Sequence, residues 1–230
     1  IEVGGYFSDV LECCDDSLRP LCLGVVEDTE AGHRKYVAKQ RLMMPVVSIA
    51  RSPLKQPEDS LVGASCIHSM ETILRSFGRV LDNKFVAVLG YGKVGRGLAH
   101  FLRGKRCTVG VFDEDPVKRV QALSEGFLCP EKSVLLGRSD IVFGATANHS
   151  IKKTEFYDLK EGAILASCSS KDLEFDLKTL YRYFDSERID DNVQLFSNQK
   201  KKIILIRKGL PINFREGAAL GPVLALSQAE

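Results

Sequence analysis

The sequence is poor in the residues that build metal centres and disulfide frameworks. Its 230 residues include no tryptophan, three methionines, four histidines and no Cys-x-x-Cys pair. Without a His/Cys/Asp/Glu cluster at ligand spacing, we expect no metal site. The seven cysteines are an odd number and no secretory leader pattern precedes them, which favours reduced thiols and a cytoplasmic location. No apolar run is long enough to cross a bilayer, so we expect no membrane association.

An excess of charge of one sign is also missing. Lysine and arginine number 32 against 30 aspartates and glutamates, and the longest basic run is the three lysines of residues 200–202. This balance gives no reason to expect a nucleic-acid partner. The hydrophobic content of 44% and the charged content of 27% are typical of a globular protein with one large domain or two small ones.

The most informative segment is a glycine pattern that follows an apolar run. Residues 85–89 are apolar and rich in valine, and they lead directly into the spacing Gly90-x-Gly92-x-x-Gly95. In a dinucleotide-binding unit the first glycine permits a sharp turn, the second lets a pyrophosphate approach, and the third packs the next helix close to the sheet. The helix N-terminus then donates N–H groups to the phosphates. The predicted cofactor contacts here are Gly90, Gly92, Lys93, Val94 and Gly95.

The choice of cofactor is predicted from an acid after the next apolar run. The apolar run at residues 107–112 is followed directly by Asp113. A carboxylate at this position binds the ribose hydroxyls of NAD and repels the extra phosphate of NADP. Glu114 and Asp115 add to that repulsion. Lys118 and Arg119 argue the other way, but we place them on the solvated face of the following helix. The sequence therefore predicts NAD, the alternative reading of Asp113 being a simple turn residue before Pro116.

Alternating strands and helices follow the glycine pattern. Strands are predicted at 85–89, 108–112, 140–146 and 163–167, with helices at 115–123 and 172–184. Residues 202–207 and 211–214 are predicted to form two strands joined by a turn at Lys208 and Gly209. Such alternation indicates an α/β Rossmann-type fold, a doubly wound parallel sheet with helices on both faces.

The first part of the chain is organised differently. It holds short apolar pieces at 22–26 and 44–49, a turn-rich stretch at 52–60 and a predicted helix at 61–77. We therefore predict a reduced second lobe of substrate type over residues 1–78. An NAD-binding Rossmann domain follows over 79–206, and residues 207–230 return to the first lobe.

Several separated motifs together resemble S-adenosyl-L-homocysteine hydrolases. Residues 90–97 are similar to that family's strand-to-helix turn, and residues 24–29 to its Glu-Glu-Thr segment. The resemblance continues through its lysine–aspartate loop and the return to its substrate lobe, at residues 45–50, 55–60, 172–176, 209–213 and 218–221. Because these motifs occur in the family's order along nearly the whole chain, coincidence is a poor explanation.

The resemblance implies an enzyme that uses tightly held NAD to oxidise a ribose hydroxyl of a small molecule. Lys55 and Asp59 match the family's catalytic lysine and aspartate. Asp28 stands where its sugar-binding glutamate lies, with Glu27 as the fallback. The resemblance also implies a homo-oligomer and further NAD contacts at Thr29, Ser60, Thr146, Asn148 and Asn213. On the residues alone, an incidental ion pair in a surface turn is the simpler interpretation of Lys55 and Asp59.

The chain departs from the family pattern at several positions. A catalytic aspartate appears as Val3, and the family's cysteine before the helix appears as Ala64. Ser170 with Lys171, and Pro222, stand where histidines are expected. His149 beside Asn148 offers a replacement acid or base, although a solvent-exposed loop residue is the simpler interpretation.

These departures leave three hypotheses open. The first is an enzyme of altered specificity that oxidises a secondary alcohol on a sugar, nucleoside or related molecule. The second is a non-catalytic NAD-binding protein with a structural or regulatory role. The third is a piece of a true adenosylhomocysteinase, which fits a first residue that is isoleucine rather than methionine.

Overall fold

The computed structural model describes residues 1–13, 22–53, 55–169 and 173–213, without the side chains at 12, 13, 56, 57 and 59. The chain divides into two compact units, one of residues 1–57 with 226–230 and the other of residues 58–225. The predicted domains at 1–78, 79–206 and 207–230 are not tested by this division and stay a prediction. In the described part of the chain, no helix is both long and apolar enough to span a membrane.

The first unit is built on a small parallel strand pair. It contains helix α1 (Ser8–Cys13), strand β1 (Val25–Glu27), helix α2 (Glu30–Val37) and strand β2 (Val46–Ser48). β1 pairs with β2 in parallel, with Val25 opposite Val46. Leu11, Tyr36 and Met44 form its buried apolar cluster. This unit matches the two short apolar pieces that the sequence shows before residue 50.

The second unit is built on a seven-stranded sheet. Its strands are β3 (Phe85–Leu89), β4 (Thr108–Phe112), β5 (Ile141–Gly144), β6 (Ala163–Ser167), β7 (Asp185–Arg188), β8 (Val193–Ser197) and β9 (Lys202–Ile206). They lie in the order β4-β3-β5-β6-β9-β8-β7. Neighbouring strands run parallel from β4 through β9, whereas β8 and β7 are antiparallel additions at one edge.

Five helices accompany this sheet. Their bounds are α3 (Lys55–Ser76), α4 (Lys93–Gly104), α5 (Pro116–Ser124), α6 (Lys132–Arg138) and α7 (Leu177–Tyr183). The central strands contribute alternate residues to two apolar clusters of buried residues, which indicates that both faces of the sheet are covered. Strands buried on both faces must be apolar at every position, and this explains the continuous runs in the sequence.

The Rossmann-type prediction is confirmed, and three strands have their predicted bounds. β3, β4 and β6 coincide with the predicted segments, while β5 is shorter than the predicted 140–146. The antiparallel strands β7 and β8 were not predicted. β7 is exposed throughout, and its Asp-Ser-Glu-Arg sequence lacks the apolar signal of a buried strand.

Three local predictions are wrong at their boundaries. Helix α3 begins at Lys55 rather than at residue 61, so the end of the supposed turn-rich stretch is its first turn. Proline is tolerated in a first turn because its missing N–H has no helical partner there. Helix α7 begins only at Leu177, with Asp176 capping it. Pro211 forms an isolated bridge with Ser167 rather than starting a strand, and Phe214 lies outside the described residues.

The strand order locates the functional edge of the sheet. The chain passes from β3 outward to β4 and then returns to place β5 on the other side of β3. This reversal makes the β3–β5 junction the topological switch point. Ligands of doubly wound sheets bind outside the carboxyl ends of the strands at such a point. The loops that begin at Gly90 and at Ala145 therefore form the expected ligand-binding edge of the sheet.

Candidate functional site

The glycine turn after β3 has a geometry that only glycine can adopt. Gly90 has φ +96°, and a Cβ there would lie 2.5 Å from the carbonyl oxygen of Ala145. A Cβ on Gly95 would collide with the carbonyl oxygen of Gly90. Both glycines are thus needed to fold the chain back and start α4 close to the sheet.

Gly92 is the open side of this turn. It is the N-cap of α4 without a side-chain cap, and no atom of the described residues lies within 4 Å of a Cβ built on it. The space beside Gly92 and the uncapped helix N-terminus suit a pyrophosphate. Lys93 and Val94 form the first turn of α4 directly after it. Their contact with a cofactor remains a prediction.

Asp113 lies at the end of β4 and is tied to the glycine turn. Its Oδ2 accepts the backbone N–H of Tyr91 at 2.6 Å, and its Oδ1 accepts that of Asp115 at 2.9 Å. Lys118 Nζ lies 3.7 Å from Oδ2. Asp113 therefore stabilises a turn through its contact with Asp115. Its carboxylate also lies beside the glycine turn, where an acceptor for the ribose hydroxyls is required.

The loop after β5 forms the other side of the switch point. Ala145 N donates to Leu89 O at 2.8 Å, which fixes the loop next to the glycine turn. Thr146 follows, and its hydroxyl donates to the carbonyl oxygen of Asn148 at 2.7 Å. Asn148 and His149 are exposed at the tip. Thr146 and Asn148 thus lie at the carboxyl edge of the sheet, while their NAD contacts stay a prediction.

A buried acid, Glu174, lies beneath this loop. Its side chain is 0% exposed and accepts the backbone N–H groups of Thr146 and Ala147 at 2.8 and 2.7 Å. The hydroxyls of Thr146 and Ser169 also contact the carboxylate. Burial raises the pKa of Glu174 above its ordinary value, against the opposing effect of these donors.

Sequence reasoning missed Glu174 because residues 172–184 were assigned to one helix. Two signals pointed to it: the family resemblance at residues 172–176, and an acid set between the apolar residues Leu173 and Phe175. Phe175 is buried and pairs with Ile151, so the segment is extended rather than helical.

Asn213 lies at the end of the described chain, next to the sheet. Ile212 N donates to Ser167 O at 2.9 Å, which places Asn213 near the carboxyl end of β6. Among the described residues, Asn213 Oδ1 is buried without a hydrogen-bond partner. An orphaned buried acceptor is costly unless a ligand satisfies it. This acceptor, the space at Gly92 and the carboxylate of Asp113 together fit a dinucleotide.

The first unit brings together two of the three predicted catalytic residues. Lys55 Nζ lies 2.8 Å from Asp28 Oδ1, with the lysine side chain 7% and the aspartate side chain 28% exposed. Asp28 follows β1, and Lys55 starts α3. Asp59 is one helical turn further on in α3, but its side chain lies outside the described part of the structure.

Glu27, the fallback for Asp28, already has a structural task. Its carboxylate accepts the backbone N–H groups of Gly4, Gly5 and Thr29, and the hydroxyl of Thr29. Burial acts to raise the pKa of Glu27, but the hydroxyl and backbone donors outweigh it and lower the pKa. Because Glu27 is 0% exposed, Asp28 is the better candidate to meet a ligand.

The remaining predicted residues have ordinary local roles. Thr29 caps α2 by accepting Gly32 N at 3.0 Å. Ser60 packs against Gly97 of α4, where a Cβ would lie 2.7 Å from Ser60 Cα. Neither role excludes a cofactor contact. Ser170, Lys171 and Pro222, which depart from the family pattern, lie outside the described residues. Within the described residues, no group of three or more His, Cys, Asp or Glu is arranged to hold a metal ion.

Comparison with protein families gives a match to the model described as "S-adenosyl-L-homocysteine hydrolase, NAD binding domain", over residues 64–219. A curated relative, the S-inosyl-L-homocysteine hydrolase of Methanopyrus kandleri, is 29% identical over 203 residues. That alignment covers 85% of this chain and 47% of the relative. The chain thus spans about half the length of this relative.

Solved structures with a similar fold include a dehydrogenase and an oxidoreductase. The apo-structure of D-lactate dehydrogenase from Escherichia coli superimposes with a TM-score of 0.53 at 16% identity, covering 76% of this chain and 66% of that chain. A phosphoglycerate oxidoreductase from Vibrio cholerae O395 gives a TM-score of 0.52 at 14% identity, covering 76% and 68%. At these identities the likeness concerns the fold alone.

Proposed function

The chain belongs to the S-adenosyl-L-homocysteine hydrolase family and carries its NAD-binding domain, and on that premise we propose that it oxidises a secondary alcohol on a ribose-bearing small molecule. The curated relative at 29% identity is named as a hydrolase of S-inosyl-L-homocysteine. This name supports a nucleoside or nucleoside thioether as the substrate class. Bound NAD supplies the hydride acceptor for such an oxidation.

The observation that carries the proposal is the pair of Asp28 and Lys55. Their 2.8 Å contact holds a carboxylate and an amine side by side, with the amine almost fully buried and the carboxylate partly exposed. A carboxylate binds sugar hydroxyls as a hydrogen-bond acceptor, and a neighbouring amine can exchange a proton with one of them. We assign binding of the sugar to Asp28 and proton transfer to Lys55.

The two side chains would share the proton transfer of this oxidation. When bound, NAD would accept the hydride of the carbinol C–H bond. Lys55 first gives up a proton to solvent, because an opposite charge within about 4–6 Å favours its ammonium form. Its amine then accepts the O–H proton of the substrate as the C=O bond forms, and Asp28 stabilises the ammonium that results.

The test is reduction of NAD by candidate alcohols. The purified chain is incubated with NAD and S-adenosyl- or S-inosyl-homocysteine, adenosine, inosine or ribose, and NADH absorbance is followed. Lys55→Ala is expected to slow NADH formation by about 10² to 10⁴, the usual contribution of a positioned acid or base. Lys39→Ala is the matched control, because Lys39 also pairs with an aspartate, Asp9, in the same unit.

Two results would contradict this assignment. Full activity of Lys55→Ala against an identified substrate would remove the lysine from the mechanism. A similar loss in Lys39→Ala would show that the effect reflects damage to the first unit rather than chemistry at Lys55.

A second candidate is a protein that binds NAD without catalysis. It is favoured by Val3, which stands at a catalytic aspartate position of the resemblance and is 47% exposed. An isopropyl group can neither donate nor accept a proton. Tight NAD binding that no alcohol reduces would support this candidate. Asp59 as a second catalytic residue, a cytoplasmic location and a homo-oligomer also remain proposals.

A further inference from the structure

One residue, Glu174, accepts hydrogen bonds from both ends of the loop after β5. Its carboxylate accepts Thr146 N and Ala147 N at 2.8 and 2.7 Å, at the start of the loop. Its backbone carbonyl accepts Ser150 N at 2.8 Å and Ile151 N at 3.2 Å, at the end of the loop. The hydroxyl of Ser150 donates to the same carbonyl at 2.9 Å.

Gly144 leaves space for the carboxylate of Glu174, and Ala147 in the loop has a strained backbone conformation. A Cβ on Gly144, the last residue of β5, would lie 2.6 Å from Glu174 Oε2. Ala147 has φ +56°, a left-handed conformation that non-glycine residues rarely adopt. Its N–H donates both to Glu174 and to the hydroxyl of Ser169. These two hydrogen bonds offset the backbone strain at Ala147, and without them we expect Ala147 to leave the left-handed conformation.

The loop lies on one particular half of the cofactor edge. Asp113, the ribose acceptor of the adenosine half, follows β4, which pairs with one side of β3. β5 pairs with the other side of β3, and its loop adjoins Gly90. A dinucleotide whose pyrophosphate lies at the glycine turn between them must therefore direct its nicotinamide half toward the loop after β5.

We propose that Glu174 is a positioning residue which shapes the loop at Thr146–Asn148 for the nicotinamide half of NAD. It does not touch the cofactor, because it is fully buried beneath the loop. Its action is to hold the backbone of Thr146 and Ala147 so that the loop presents one fixed surface at the switch point. This inference concerns cofactor binding and stands independently of the reaction proposed above.

The test compares two nucleotides on the full chain by isothermal titration calorimetry. NAD needs both halves of the site, whereas ADP needs only the glycine turn and the end of β4. Glu174→Ala is expected to raise the dissociation constant of NAD about tenfold or more, the result of losing two or more hydrogen bonds that shape the loop. The dissociation constant of ADP is expected to change less than about twofold. Glu174→Gln keeps a carbonyl acceptor for the backbone N–H groups and is expected to retain most of the NAD affinity.

Asp140→Ala is the matched control. Asp140 precedes the same strand at its opposite end, where its carboxylate accepts Phe85 N at 2.9 Å and pairs with Lys160. Its loss removes a comparable carboxylate–backbone contact without touching the cofactor edge. We expect a lower melting temperature with unchanged NAD and ADP affinities. If Glu174→Ala does not fold, Ser169→Ala removes one donor of the same network and is expected to weaken NAD selectively by a smaller factor.

Three outcomes would overturn the inference. Equal weakening of NAD and ADP by Glu174→Ala would indicate a general structural role. NAD affinity unchanged in Glu174→Ala, or lowered equally in Asp140→Ala, would remove the special role of this residue. A wild-type chain that binds neither nucleotide would overturn the inference and the cofactor assignment together. Intact binding without catalysis would contradict only the proposed reaction.

Discussion

At the scale of single residues, Asp113 does two things with one carboxylate. It accepts the N–H of Tyr91, which helps to hold the glycine turn, and it places negative charge where the adenosine ribose of NAD is expected. Lys118 stands 3.7 Å away and partly balances that charge. We therefore expect the preference for NAD over NADP to depend on an acid that already has a cation beside it.

Replacing Asp113 by serine is expected to relax this preference. The serine hydroxyl can still accept the N–H of Tyr91, while Lys118 becomes available to a 2′-phosphate. The ratio of NADP to NAD affinity is expected to rise by about tenfold or more, since hydrogen bonds to charged groups contribute roughly 1.5–3 kcal/mol. Fluorescence or calorimetric titration with both nucleotides measures it. Glu114→Ser, at a residue 80% exposed, is the control, and an equal rise there would contradict the role of Asp113.

At the scale of elements, helices α4 and α5 are joined through Glu125. This residue ends α5 and accepts hydrogen bonds from Tyr91 O–H at 2.8 Å and from Arg96 and His100 of α4. Burial acts to raise the pKa of Glu125, but Arg96, His100, Tyr91 and Gln121 lower it to about 2. The ionised carboxylate therefore holds the end of α5 against α4, whose N-terminus follows the glycine turn.

The contribution of Glu125 to stability is expected to depend on pH. Because its folded pKa of about 2 lies below the ordinary 4.5, the stabilisation is present above pH 4.5 and is lost as the pH falls toward 2. Near pH 7, Glu125→Gln is expected to have a lower melting temperature than the wild type. This difference in melting temperature should close as the pH falls from 4.5 to about 2. Differential scanning fluorimetry across this range measures it.

The control for this experiment is Glu131→Gln. Glu131 is the N-cap of α6 and makes no side-chain capping hydrogen bond there. Its substitution should leave the pH dependence of melting unchanged. A gap between wild type and Glu125→Gln that stays constant down to pH 2 would contradict an ionic role for Glu125.

At the scale of the whole molecule, cofactor binding and stability are coupled. The glycine turn, Asp113 and the orphaned Oδ1 of Asn213 all belong to the second unit, residues 58–225. Among the described residues Asn213 Oδ1 has no hydrogen-bond partner, and we propose that NAD supplies one. A ligand that binds only the folded state stabilises it in proportion to the logarithm of its concentration.

NAD is therefore expected to raise the melting temperature of the second unit. At 100 times its dissociation constant, NAD should stabilise the folded state by about 2.7 kcal/mol, or roughly 5–10 °C for a chain of this size. NADP at the same concentration should give a smaller shift. Scanning calorimetry measures both, and equal shifts with the two nucleotides would contradict the assigned preference.

Local patterns in the sequence were sufficient for the cofactor fold. Gly90, Gly92 and Gly95 with the flanking apolar strands predicted the βαβ unit, because backbone sterics and strand burial act within a few residues. The same reasoning failed at Lys55, which starts a helix rather than lying in a turn, since proline in a first turn resembles a loop signal. It also failed for the exposed edge strand β7, which lacks an apolar run.

The sequence predicted the candidate site only in part. The sequence and its resemblance named Asp28, Lys55 and Asp113, but only the tertiary structure shows Lys55 paired with Asp28 while Glu27 is committed to Gly4 and Gly5. The contacts of Glu174 could not be predicted from the sequence, because its partners lie in separate segments around residues 146 and 169. Backbone propensity and burial pattern are local properties that the sequence determines by itself. The partner of a buried carboxylate depends on which distant segments the fold brings together, and that is decided only by the tertiary structure.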